Sequence, residues 1–95
     1  MKNQNQYYIV RADRAGVFFG QIKEKKEKSV LMTNVRKIWS WQGASAVEQI
    51  SIDGVNDNSQ VTVVVPEMEI DSWIQIIPCS KKAIANLKGQ KEWKR

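Results

Sequence analysis

Short runs of β-branched and aromatic residues, each closed by a turn signal and none joined to the next by a long helix, restrict this chain to a mostly antiparallel sheet. Parallel neighbours need a crossover of a dozen or more residues, and none is available. Residues 7–14 (YYIVRADR) and 17–22 (VFFGQI) read as a hairpin turned at Ala15-Gly16. Alternation puts Val17 and Phe19 on one face and Phe18, Gly20 and Ile22 on the other. Gly20 inside a strand predicts a bulge or the close approach of another backbone. Residues 29–33 (SVLMT) make a third strand, with Val30 and Met32 opposite Leu31 and Thr33. Asn34 then kinks or bulges the chain, and residues 36–41 continue extended, with Trp39 and Trp41 on one side and Ile38 toward the core. Residues 61–65 (VTVVV) read as a buried strand ended by Pro66. Residues 70–77 hold the last strand, in which Trp73, Gln75 and Ile77 oppose Ile74 and Ile76, and Pro78 stops it.

Two short helices complete the pattern. Gly43 opens one over residues 44–50, with Ser45 as a cap and Ala44, Val47 and Ile50 as the buried stripe. Ser80 caps the other, KKAIANLK, buried through Ala83, Ile84 and Leu87 and followed by Gly89 as a C′ residue. Asp53-Gly54 and residues 56–59 (NDNS) are turn chemistry. KEKKEK at 23–28 is a solvated loop or charged edge leaving the hairpin, with a phosphate-contacting patch as the competing reading. The expected fold is one small α+β domain over residues 1–88. It has a strongly bent, mostly antiparallel sheet or partly open barrel of about five strands, with two short helices. Residues 89–95 form a basic tail.

The residue inventory excludes much chemistry. The chain has no histidine and one cysteine, so His/Cys metal sites and Ser-His-Asp or Cys-His nucleophiles are ruled out. Cys79, after Pro78, reads as a small buried hydrophobe. Glu67, Glu69 and Asp71 alternate as a solvated acidic edge, and residues 53–58 lack the spacing and closing glutamate of a calcium loop. The expectation is a protein that is not an enzyme and needs no cofactor. No apolar run is long enough to span a membrane, no signal segment precedes residue 7, and a lone cysteine fits the cytoplasm. The net charge of +5 is strongly segregated. Residues 1–41 carry nine basic and three acidic side chains, 42–80 carry six acids and no base, and 81–95 carry six bases and one acid. Such a molecule can pair its own segments or those of a second copy.

One stretch gathers the unusual chemistry. Arg36, Lys37, Trp39 and Trp41 join cations to indole faces, which suits a flat base carrying phosphate. Backbone N–H groups at Gly43, Ala44 and Ser45 are placed to meet an anion at a helix start. Thr33 and Asn34 are candidates for a sugar or base edge, and Glu48 is a candidate partner of Arg36 or Lys37. The competing reading puts one tryptophan in the core and the other at an oligomer interface.

AGVFFG (15–20), TNVRKIWSWQGASAVEQIS (33–51) and IIPCSKKA (76–83) together resemble a family of small phage and prophage proteins whose domain has no known function. The resemblance implies a virus-encoded protein in the cytoplasm of an infected bacterium, and it carries no established active site. Small proteins of that lifestyle commonly serve in host takeover or anti-defence, some as oligomeric sponges for nucleotide signals. The leading expectation is therefore a homo-oligomeric sponge that sequesters a small anionic, nucleotide-like ligand. A second is a protein-binding inhibitor of a host protein, or a virion-associated interaction module. A third is a nucleic-acid binder led by the lysine-rich tail.

Overall fold

The β-branched runs pair in chain order at first. A computed structural model gives the architecture and describes residues 5–41, 43–44 and 46–93. β1 (Tyr8–Ala12) and β2 (Gly16–Lys25) form the expected hairpin, with Ala12 opposite Gly16. Its turn holds Arg14 and Gly16 at φ of 66° and 112°. β2 outruns the expected strand: residues 23–25 of KEKKEK extend it, and only 26–28 make the turn, closed by Lys26 N–H to Ser29 O at 2.8 Å. β3 (Ser29–Ser40) then runs back along β2 as a single long strand.

Gly20 and Asn34 meet where β2 and β3 cross out of register. Phe19 faces Arg36 but Gln21 faces Thr33, so β3 carries one extra residue there, with Asn34 at φ 52°. A Cβ on Gly20 would lie 3.0 Å from Thr33 O and 3.1 Å from Val35 Cα, so glycine is required by the close backbone. The bulge also changes the phase of β3. Met32 and Val35 both enter one core, while Arg36 and Ile38 turn to the opposite face.

The far edge of β3 takes β5 (Val65–Asp71) along one half and β4 (Gln60–Val61) along the other. At the other edge, β6 (Trp73–Pro78) pairs with β1, giving the order β4-β3-β2-β1-β6 with β5 also beside β3. Only Ser72, at φ 57°, separates β5 from β6. The chain thus steps from one sheet edge to the other in a single residue, held by Asp13 N–H to Ser72 O at 2.9 Å and Ser72 N–H to Lys28 O at 2.6 Å. That step demands a sheet bent strongly back on itself. Six antiparallel strands form it, open and unclosed, and with two short helices the fold is α+β.

Several local expectations are corrected. VTVVV is not a buried strand: the ladder is interrupted between Val61 and Val65, and Val63 and Val64 are about half exposed. Pro66 lies inside β5 instead of ending a strand, which an edge position tolerates because no partner needs its missing N–H. The last strand is divided by Ser72, and a bulge at Ile74 puts Trp73 with Ile76 in one core while Ile77 joins the other. α1 (Val47–Asp53) begins after Ala46, later than residue 44, and it has no side-chain cap. Gly43 sits at φ 88° against the Asn56 side chain, which keeps it and Ala44 outside the helix. Ser45, the expected cap, lies outside the described residues. α2 (Lys81–Lys88) is capped as expected, with Ser80 Oγ accepting from Ala83 N–H at 3.1 Å. Gly89 ends it in the right-handed region, without the left-handed turn a C′ glycine would supply. The described part of the tail folds back: Trp93 N–H donates to Val61 O at 2.9 Å.

Two cores flank the sheet. Ile9, Phe19, Ile38, Ile50 and Leu87 pack between the sheet and both helices, with Tyr7 stacked on Phe19 at 4.8 Å. Val10, Phe18, Val30, Met32, Val35 and Ile70 fill the other face. Burying each such side chain contributes roughly 1.5–3 kcal/mol.

Candidate ligand-binding site

Adjacent residues of a strand face opposite ways, and the bulge at Asn34 sets the phase in which Arg36, not Lys37, turns inward. Arg36 is only 2% exposed. Its Nε donates to Thr62 O at 2.7 Å and its Nη1 to Leu87 O at 2.8 Å. Burial lowers its pKa, and the charge of Glu92 partly restores it. Arg36 is therefore a clamp between the interrupted edge strand and the last turn of α2, where it also meets the negative end of the helix.

Lys37 takes the other face and remains near the surface. Its Nζ lies 4.8 Å from the Trp39 ring centroid and 5.9 Å from that of Phe18. Its backbone is tied to the edge strand on both sides: Lys37 N–H donates to Thr62 Oγ1 at 2.9 Å, and Thr62 N–H donates to Lys37 O at 3.0 Å. Trp39 is 58% exposed and lies nearly parallel to Trp93, with ring centroids 6.2 Å apart and an interplanar angle of 12°. Lys37, Trp39, Gln60, Thr62 and Trp93 line a cleft of about 440 Å³. That volume lies within the range of small-ligand pockets, roughly 300–1,000 Å³.

Of the residues expected to act together, the cleft unites Lys37 and Trp39. Trp41 packs half-buried on the helix-side core, as does Ala44. Gly43 precedes α1 instead of forming its first turn. Thr33 sits in the sheet between Gln21 and Glu67, and Asn34 Nδ2 donates to Gln21 Oε1 at 2.7 Å. Glu48 pairs with neither cation. Its carboxylate accepts from Gln75 Nε2 at 3.2 Å, and a backbone hydrogen bond at its own N–H, then Gln75, hold its pKa low.

Sequence reasoning missed Gln60, Thr62 and Trp93. Gln60 and Thr62 carry no signal without the register of β4. Trp93 had one, a large aromatic alone in a charged tail. Among the described residues no group of histidine, cysteine and carboxylates is arranged to hold a metal. Cys79 is buried, and desolvation pushes its thiol up to about 12, so little thiolate forms near neutrality.

Residues 5–87 match the family model described as a domain of unknown function, DUF6948. The chain belongs to that family. Comparison with curated proteins and with solved structures finds no match. The DUF6948 match takes in Lys37, Trp39, Gln60 and Thr62 and stops short of Trp93. The cleft is thus built from four DUF6948 residues and one wall from outside the matched segment.

Proposed function

We propose that the protein is a small phage-encoded, non-enzymatic binding protein that sequesters a flat, anionic, nucleotide-like ligand in the cleft lined by Trp39 and Trp93. The observation that carries the reading is the pair of near-parallel indoles beside an ammonium group in a cleft of about 440 Å³. A base stacks on indole whatever its sequence of donors and acceptors, at about 1–3 kcal/mol per stacked base. Lys37 supplies charge for a phosphate, and the Gln60 amide supplies a donor and an acceptor for a ring edge. The lack of histidine and the buried, protonated thiol support capture over turnover. The phage assignment, the sponge role in anti-defence and the setting in an infected cell's cytoplasm rest on the sequence blocks at 15–20, 33–51 and 76–83. Self-association belongs to the same reading. Ile52 and Ile74 are 59% and 55% exposed, and a second copy is the partner proposed for them.

A melting screen against cyclic di- and trinucleotides, ADP-ribose derivatives and short single-stranded DNA tests this. Ligand at a hundredfold its Kd stabilises by about 2.7 kcal/mol, which moves the midpoint of a domain this size by several degrees. Trp39→Ala is expected to remove that shift while leaving the unliganded midpoint nearly unchanged, since the indole is largely exposed. Trp41→Ala is expected to lower the midpoint and retain the shift. A flat response to every nucleotide, with stable capture of a protein partner through Trp39, would replace this reading with the interaction-module one.

A further inference from the structure

Arg36 lines a second, smaller pocket of about 180 Å³, together with Tyr7, Phe19, Asn34, Val64 and Lys88. We propose that it is a second binding site, selective for a compact oxyanion of phosphate size. Three features support the assignment. The first is charge. Two of the six lining side chains are cations and none is an acid. Arg36 is buried there, and its two observed acceptors, the Thr62 and Leu87 carbonyls, are neutral groups. A buried cation whose hydrogen-bond acceptors here are neutral carbonyls has lost hydration that an entering anion can replace. Glu92 acts on the same guanidinium from outside the pocket lining and offsets part of this cost.

The second feature is preorganisation. Thr62 and Leu87 engage two of the five N–H donors of the guanidinium and so fix the plane of the fork, which is the geometry that recognises oxyanions. Lys88 Nζ stands 5.2 Å from the Tyr7 ring centroid, and Tyr7 is itself stacked on Phe19. The ammonium is thereby held at the pocket over a rigid apolar wall. The third feature is size. The volume is less than half that of the aromatic cleft, about 180 against 440 Å³. A phosphate with part of its hydration suits this space better than a nucleotide, which the larger cleft accommodates.

This site does not depend on the aromatic cleft, because no lining residue is shared. Inorganic phosphate is the probe, titrated against sodium chloride at matched ionic strength, with melting midpoint and ³¹P line width as readouts. The expected result is a saturable rise in midpoint with phosphate and broadening of its resonance. Lys88→Gln, at an exposed position, should weaken the half-saturation concentration at least threefold. Val64→Phe, at the half-exposed lining position, should block the response. Trp39→Ala should leave it unchanged. Arg36 variants are avoided because their loss of fold would mimic loss of binding. Equal midpoints in phosphate and chloride would overturn the proposal. So would a phosphate response that survives both Lys88→Gln and Val64→Phe, or one that disappears in Trp39→Ala.

Discussion

Arg36 joins two carbonyls that lie far apart in sequence, those of Thr62 and Leu87. Replacing it with methionine keeps much of the volume but leaves both acceptors without a charged donor. An unpaired buried acceptor costs about 1–3 kcal/mol, so Arg36→Met should destabilise by about 3 kcal/mol. Urea unfolding that shows a lower midpoint at unchanged slope would verify it, and a midpoint matching the parent protein would show that the clamp is idle. Cys79 gives a second test. Burial raises its thiol to about 12 in the fold from the free group's 9.0, so the unfolded chain gives up its proton first as pH rises. Its contribution to stability is full below pH 9.0 and is lost as pH climbs through about 12. At pH 8 the native thiol should resist iodoacetamide for hours and react within minutes once unfolded in urea. Ready alkylation of the folded protein would contradict the burial.

At the scale of elements, legibility followed how local each signal is. The first hairpin, the Ser80 cap and the crowding at Gly20 are set by neighbours in the chain or by backbone sterics, and all were readable. The bulge at Asn34 was also readable as an irregularity, but its consequence was not. One inserted residue shifted the phase of β3, so that Met32 and Val35 share a face, and a second register shift at Trp39 upset the shared side assigned to Trp39 and Trp41. VTVVV looked buried because a run of valines reports an affinity for sheets and cannot report an edge position. Ser72 was silent for a different reason. A serine at φ 57° has no composition signal, yet it divides one expected strand into two that serve opposite edges. The candidate site suffered most, since Gln60, Thr62 and Trp93 reach it only through tertiary pairing.

Across the whole molecule, the segregated charges meet within the fold. Lys23 pairs with Glu67 at 3.5 Å and Lys82 with Asp53 at 3.1 Å, each joining a basic segment to the acidic middle one. These bridges are exposed, and such pairs add little to stability. They leave the net charge of +5 unchanged, so charge offers no attraction between copies of the chain. Self-association should therefore rest on apolar side chains and persist at high salt. Light scattering at 0.05 and 0.5 M salt should report the same multimer, and Ile52→Lys with Ile74→Lys should reduce it to a monomer. A monomer in the unmodified protein at every concentration would end that proposal.

The two walls of the aromatic cleft are anchored very differently. Trp39 is embedded in β3, where neighbouring side chains belong to both cores, whereas Trp93 reaches the sheet through a short bridge at Val61. A substitution near Trp39 is constrained by the strand pairing of β3, while the Trp93 side chain hangs from a segment held by fewer strand contacts. Ligand preference can therefore be retuned through that segment alone, as a blade is changed without touching the handle.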